Sequence, residues 1–338
     1  MRILILGGGR FLGRAFAAEA LDSGHRVTVF NRGRTSVDLP GTEVVRGDRE
    51  DPADLERLAA EGPWDAIVDT SGYVPKTVGA TARALAGSAG AYLFISSISA
   101  FAEYPGKSAG YGSPVYECAP DATEGEYGEL KAGCERAVRE AFPGRVLVHY
   151  PGLIIGPHEN AGRSWWYSRI ARGGDVLAPG DPDRGIQLID ARDVARFGLR
   201  CLGSGTEDGS DGDALLLTSL PGHTTFGAWL TACVAETGSD ARLRWAPDEL
   251  LLEREVAIWS GLPLWAPVRE DLAGTWANDV SRSVAAGLVC RPIEETVRDT
   301  CAWLRGTPLQ TEEDGRINGH GLPPADEKRI LDALDGLG

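Results

Sequence analysis

The stretch "MRILILGGGRFLG" at the start of the chain constrains the fold most. "RILIL" is a short apolar run that glycines 7, 8 and 9 end abruptly, and "FLGRAFAAEALDSG" follows with helical apolar spacing and Gly24 at its end. "RVTVF" then reads as a second strand, so the glycines sit at the first strand-to-helix turn of a βαβ unit. With 44 glycines in 338 residues, the cluster gains weight from its position and not from its composition. At such a turn glycines permit a tight bend, and backbone N–H groups at the helix N-terminus can meet a pyrophosphate. Gly7, Gly9, Arg10, Phe11, Leu12 and Gly13 are therefore candidate cofactor contacts, set against a tight turn without a ligand.

Further strands are expected at "TEVVRG", "WDAIVDT", "AYLFISS" and "RVLVHYPGLII", with helices at "DPADLERLAAE" and "TVGATARALAG" between them. This alternation predicts an α/β fold, a Rossmann-like doubly wound parallel sheet over the first 160 residues or so. "IQLIDARDVARFGLRCLG" returns to the strand-helix pattern, so the dinucleotide-binding domain is expected over 1–160 plus about 186–204. A smaller mixed α/β substrate domain takes about 161–185 plus 205–338, with "SGTEDGSDGD" as a solvated acidic loop and "PPADEKRILDALDGL" as a terminal helix.

The opening apolar run is too short for a membrane span and lacks the pattern of a secretory signal, which favours a cytoplasmic protein without a membrane partner. A net charge of −15 with no run of Lys or Arg argues against a nucleic-acid surface. Six cysteines without CxxC or Cys/His spacing read as buried thiols, with no metal site. Lysines number only four, at 76, 107, 131 and 328, so each invites a reason.

At the end of the second strand, "VFNRGR", the carboxylate that would hold an NAD ribose is replaced by Asn31. Arg32 and Arg34, with Arg10, could embrace a 2′-phosphate, which favours NADP over NAD, although Asn31 also suits a hydroxyl. Asp48, after the third strand, either meets the adenine amino group or is a solvated loop acid. Thirty residues after Ser97 comes "YGELK", placing Tyr127 and Lys131 at i and i+4 on one helical face. A lysine so placed favours the phenolate, making the tyrosine a usable acid or base near neutral pH, while Ser97 could donate to a carbonyl or carbinol oxygen.

With the Gly7, Arg10, Gly13 turn, "FISSIS", "YGELK", "YPGLIIGP" and "IQLIDARDVA" together, the chain resembles the extended short-chain dehydrogenase/reductase superfamily, in its NAD-dependent epimerase/dehydratase family. The resemblance weakens after about residue 205. It implies Tyr127 as acid/base, Lys131 lowering its pKa and holding the nicotinamide ribose, and Ser97 polarising a substrate oxygen. Ser71, Gly72, Pro151, Gly152 and Leu153, with Tyr127 and Lys131, would complete the cofactor contacts. It further implies a small-molecule substrate and, by analogy of fold alone, a homodimer as an option.

Departures narrow the reading. Arg10 replaces the middle glycine, as in chloroplast stem-loop RNA-binding relatives, and Leu153 stands where nucleotide-sugar epimerases carry an Asn. Ile98 and Ser99 replace the Asp-Glu pair of hexose dehydratases, so elimination would need Glu103, Glu126 or His158 instead. Ser99, His158, Arg163, Trp165, Trp166 and Gln187 are candidate substrate contacts, with core packing as the competing reading for the tryptophans and for "WSGLPLWAP". Asp190 and Asp193 are expected to be structural. The enzyme expected is one of hydride transfer at a secondary alcohol or ketone of a sugar-like or nucleoside-like molecule, by transient oxidation leading to epimerisation or dehydration. The alternatives are a simple NADPH-dependent reductase and a non-catalytic RNA-binding or redox-sensing protein.

Overall fold

The computed structural model describes residues 1–34, 38–159, 162–204, 214–307, 309 and 311–336. The acidic loop expected at 204–213 lies outside them except for its first residue. Two compact units emerge, Met1–Ile154 with Ile189–Thr218 and Asn278–Cys290, and Ile155–Leu188 with Ser219–Ala277 and Arg291–Gly338.

The first unit is built from β1 (Arg2–Leu6), α1 (Phe11–Asp22), β2 (Arg26–Asn31), β3 (Glu43–Arg46), α2 (Pro52–Ala60), β4 (Trp64–Asp69), α3 (Pro75–Ala84), β5 (Ala89–Ile95), α4 (Tyr127–Ala141) and β6 (Arg145–Pro151). Its sheet has seven strands in the order Ala214–Leu217, β6, β5, β4, β1, β2, β3, and every pair is parallel. Alternate side chains of each strand feed two cores. Ile3 and Ile5 pack with Phe16, Ala17 and Ala20 of α1 on one face, whereas Leu4 and Leu6 join Leu58, Val78 and Val138 of α2, α3 and α4 on the other. Both faces are thus covered by helices, the doubly wound Rossmann-like arrangement.

Register brings the carboxyl ends into line. Leu6 sits opposite Phe30 on one side and Asp69 on the other, and Ile95 opposite His149. The chain order reverses between β1 and β4, which is where ligands enter such sheets. Residues 7–13, Asn31, Ser71–Gly72 and Ser97 consequently share one edge of the sheet.

The expected domain boundaries differ from the observed units. The sequence places Ala214–Leu217 in the smaller domain, yet "ALLL" forms the edge strand beside β6 with three buried leucines. Residues 278–290 also return to the first unit. Neither excursion leaves a periodic signal, because one four-residue strand and a segment with the single five-residue helix Ser281–Ala285 are fixed only by what they pack against. The run "RVLVHYPGLII" is two strands, broken at Gly152, whose N–H bonds Leu217 O.

The second unit is mixed α/β. Asp175–Pro179 pairs in parallel with Arg242–Ala246, and Gly185–Ile186 pairs antiparallel with Thr224–Thr225. Around them stand helices Trp165–Ala171, Phe226–Thr237, Ile293–Gly306 and Pro324–Asp335. Among the described residues no helix is long and apolar enough to cross a membrane.

Candidate active site

The glycine turn is shaped by close approach. Gly7 has φ +89°, and a Cβ there would lie 2.7 Å from Ser71 Cβ. At Gly13 a Cβ would lie 2.4 Å from Gly7 O, so only glycine lets α1 start against the end of β1. The helix begins without a side-chain cap on its N-cap residue Arg10 and without an acid in its first turn. Its leading N–H groups are therefore available to an anion, and the helix dipole favours one. Replacing Gly13 by Val should weaken NAD(P)H binding by at least about tenfold, read by fluorescence titration, because the displaced turn can no longer present those groups.

Beside the turn lies a cleft of about 360 Å³ lined by Gly7, Gly9, Arg10, Asn31, Arg32 and Arg34, with Asp48, Ser71 and Tyr73 opposite. Asn31 Oδ1 accepts bonds from Gly33 N (2.8 Å) and the Arg46 guanidinium. Both partners are donors, which fixes the oxygen as the atom facing them. The Asn31 Nδ2 is left buried without a partner among the described residues. Arg32 approaches Asp48 at 3.8 Å, while Arg10 and Arg34 are exposed. A glycine cradle, an uncapped helix start and a cleft lined by arginines fit the phosphates and ribose of a dinucleotide.

Sequence reasoning missed Arg49, which also lines this cleft. Its Nη1 and Nη2 donate to Asp69 Oδ1 and Oδ2 at 3.0 and 2.8 Å. Asp69 has no exposed surface and also accepts from Tyr92 OH (2.7 Å) and Ser71 N (3.0 Å). Burial alone would raise the Asp69 pKa, but the guanidinium and these bonds hold it below the usual carboxylate range. The available signal was the acid closing the apolar strand "WDAIVD", since a buried carboxylate demands a cation.

Across the sheet, Ser97 follows β5 and Lys131 lies one turn into α4. Lys131 is 3% exposed, and its Nζ donates to Gly72 O (2.8 Å) and Ile95 O (2.6 Å) while sitting 4.5 Å from the Phe94 ring centre. Burial pushes its pKa down to about 8. Tyr127 opens α4 and is half exposed. Ser97 is 9% exposed, and its Oγ accepts from Ser99 N at 3.1 Å, leaving the hydroxyl proton to donate elsewhere. Gly128 permits this arrangement, because a Cβ there would fall 2.0 Å from Ser99 O. Glu135 was also missed. Buried on α4, it takes bonds from Ser96 Oγ and from Tyr150 OH (2.6 Å), tying the ends of β5 and β6 to the helix that carries Tyr127 and Lys131.

Other expected residues are placed as follows. Phe11 and Leu12 open α1, Pro151 ends β6, and Gly152 and Leu153 follow it at the same sheet edge. Glu103 pairs with Lys107 at 2.6 Å on the surface, and Glu126 N bonds Glu129 Oε2. Asp190 caps the helix Ala191–Gly203 through Arg192 N (2.8 Å), and Asp193 lies 3.6 Å from Arg196. His158, Arg163, Trp165, Trp166 and Gln187 belong to the second unit.

Two of these expectations need correction, those for the tryptophan pair and for Gln187. Trp165 and Trp166 are 1% and 0% exposed and pack edge-on with each other at 5.0 Å and against Phe226, so they fill a core and offer no face to a substrate. Gln187 is buried with Nε2 bound to Ser219 O at 2.8 Å, which spends its amide on the backbone. Arg163 pairs with buried Glu159 at 3.5 Å, and the His158 ring lies 5.1 Å from the Trp303 ring. Leu262, Leu264 and Trp265 of "WSGLPLWAP" are core residues.

Comparison with known proteins matches residues 3–213 to the model of the NAD dependent epimerase/dehydratase family. The chain is similar to the chloroplast stem-loop binding protein of 41 kDa b of Arabidopsis thaliana, 26% identical over 222 residues covering 60% of this chain and 55% of that protein. It is also similar to 2′-dehydrokanamycin reductase of Streptomyces kanamyceticus, 30% identical over 143 residues covering 42% of this chain and 39% of that one. The matches thus span about half or less of these curated relatives. Among solved structures, the Bordetella bronchiseptica enzyme WbmH in complex with NAD+ shares the fold with a TM-score of 0.66 at 15% identity, covering 91% of this chain and 99% of that one. UDP-glucose 4-epimerase of Thermotoga maritima with UDP-glucose does so with a TM-score of 0.65 at 17% identity and the same coverage.

Proposed function

The chain belongs to the NAD dependent epimerase/dehydratase family, nicotinamide-dependent enzymes of the short-chain dehydrogenase/reductase type, and from that premise we propose that it oxidises or reduces a secondary alcohol or ketone on a small polyhydroxylated molecule. The observation that carries this reading is the Lys131 ammonium, buried and held by two carbonyls one turn after Tyr127. The glycine cradle, Asn31 and the arginines would hold the cofactor, with Lys131 toward the nicotinamide ribose. When bound, the nicotinamide supplies or accepts hydride.

The protein's own groups manage the proton. Tyr127 gives it to, or takes it from, the substrate oxygen, and the nearby cation of Lys131 favours the phenolate form. Ser97, its oxygen already occupied by Ser99 N, donates a hydrogen bond to the same substrate oxygen. Ile98 carries no ionisable group and Glu103 is engaged by Lys107 at the surface, so elimination would call on Glu126 or His158. The intact Tyr127 and Lys131 favour an enzyme over the binding role that the name of the Arabidopsis relative states.

The cleft favours NADP. Asn31 stands where a carboxylate would repel a 2′-phosphate, and Arg10, Arg32 and Arg34 line the cleft beside it, a set of cations that suits that phosphate. Arg32→Ala with Arg34→Ala should cut the preference for NADPH over NADH by at least about tenfold, since each charge-assisted contact contributes on the order of 1.5–3 kcal/mol. Equal affinities of the wild type for both nucleotides would overturn this preference.

A second reading, transient oxidation by a retained cofactor followed by epimerisation, is favoured by the family itself. Denaturing the purified protein and identifying the released nucleotide separates the two. Empty protein that binds NADPH supports a free-standing reductase. Stoichiometric NAD+ or NADP+ supports transient oxidation, and no binding of either nucleotide refutes both.

A further inference from the structure

We propose that Arg49 and Asp69 are positioning residues, a buried ion pair that fixes the turn 70–72 and, through the Gly72 carbonyl, the place of the Lys131 ammonium. This rests on the role of Lys131 argued above.

A fully buried acid at the end of a central parallel strand is a poor source of stability, because apolar replacements of buried ion pairs are often neutral or stabilising. Its geometry offers a better reason. Asp69 uses all of its acceptor capacity: Oδ1 takes Arg49 Nη1 and Ser71 N, and Oδ2 takes Arg49 Nη2 and Tyr92 OH. The bond to Ser71 N turns the chain immediately after β4. Arg49 reinforces the turn from outside, with Nη1 also 3.3 Å from Ser71 Oγ and Nε 3.3 Å from Thr81 Oγ1.

What the turn touches gives it meaning. Ser71 is the residue on which a Gly7 Cβ would collide, so one side of the turn abuts the phosphate cradle. Gly72, next along, is pressed on Phe94, where its own Cβ would come within 2.5 Å of the ring. Its carbonyl holds Lys131 Nζ, and the same Phe94 ring lies 4.5 Å from that nitrogen. The second carbonyl, of Ile95, belongs to a strand fixed by its ladder, whereas that of Gly72 depends on the turn rooted at Asp69. The charged and titratable groups around Lys131 are Tyr127, Cys134 and Glu135 on its own helix, Asp69 on β4 and Arg49 on the loop after β3, with the Tyr73 ring 5.4 Å away. Asp69 and Arg49 act on the ammonium with opposite signs, so together they place it without adding net charge.

The chain has four lysines, which makes 15N-lysine NMR tractable, and Lys131→Met identifies the signal. Asp69→Asn keeps the side-chain shape and leaves the Arg49 cation uncompensated, so the Lys131 titration midpoint should fall by at least about half a unit. The pair Asp69→Asn with Arg49→Gln contains no buried charge and should fold even where the single variant does not. There the two opposed electrostatic effects vanish together, and a changed Lys131 Nζ chemical shift reports the altered turn. A folded Asp69→Asn, or failing that the double variant, whose Lys131 keeps both the wild-type midpoint and the wild-type shift overturns the proposal. ADP added to wild type, followed at the amides of Gly7 and Gly13, tests the nucleotide site separately: silence there refutes the cofactor reading, whereas unchanged Lys131 signals in the variants refute only the ion pair's role.

Discussion

Tyr127→Phe is expected to lower turnover at least about a hundredfold while leaving NADPH affinity within about twofold, the usual cost of removing a general acid or base that does not bind the cofactor's main groups. The structure gives the reason for so unequal a split. The phosphate cradle and the cleft lie at residues 7–13 and at the ends of β2 and β3, while Tyr127 lies at the start of α4. A phenyl ring keeps the shape of the site and loses only the transferable proton. Turnover should be measured on whichever ketone or secondary alcohol the wild type accepts from a panel of sugars and nucleosides, with affinity from fluorescence titration. The wild-type pH profile adds a second check. Lys131 stays an ammonium below about 8 and loses its charge above, so the assistance it gives the phenolate should fade on the alkaline side. Undiminished activity of Tyr127→Phe would remove Tyr127 from the proposed chemistry.

The largest effect on stability is expected from His149. This residue lies on β6 with no exposed surface, its ring 5.5 Å from that of Phe197, and neither ring nitrogen has a partner among the described residues. Burial, with a smaller repulsion from Arg145, pushes its pKa down from 6.5 to about 3. In the unfolded chain the imidazole takes a proton at its ordinary pKa, so between about 6.5 and 3 the unfolded state binds more protons than the native state. Stability from this group is therefore complete above that window and is lost as pH falls through it. The loss reaches roughly 3 kcal/mol near pH 4, at about 1.4 kcal/mol per unit. His149→Leu should flatten this slope and move the acid-unfolding midpoint downward, as followed by circular dichroism in urea at a series of pH values. A variant with the wild-type acid slope would show that His149 is not the group responsible.

Much of the site was legible because its residues are local in sequence. The glycine turn needs only a strand, a bend and a helix in succession, and Tyr127 and Lys131 are neighbours by the period of one helix. The residues that sequence missed act over long separations. Arg49 and Asp69 are twenty positions apart and Ser96 and Glu135 thirty-nine, and in each case an ordinary-looking charged residue acquires its role only where the sheet brings the partners together. The tryptophans mark the opposite case. For Trp165 and Trp166 the sequence left core packing and substrate contact both open, and the second unit folds around them and hides both rings.

By itself the sequence determined the parallel doubly wound sheet, the glycine turn between β1 and α1, and the placement of Tyr127 and Lys131 one helical turn apart, because periodicity, glycine geometry and helical spacing are short-range physics. Tertiary structure alone decided the seventh strand at Ala214–Leu217 and the partners of Asn31. It also decided the burial that lowers the pKa of both Lys131 and His149. These depend on which distant groups exclude water from a side chain, and desolvation is a property of the packed chain that no local stretch contains.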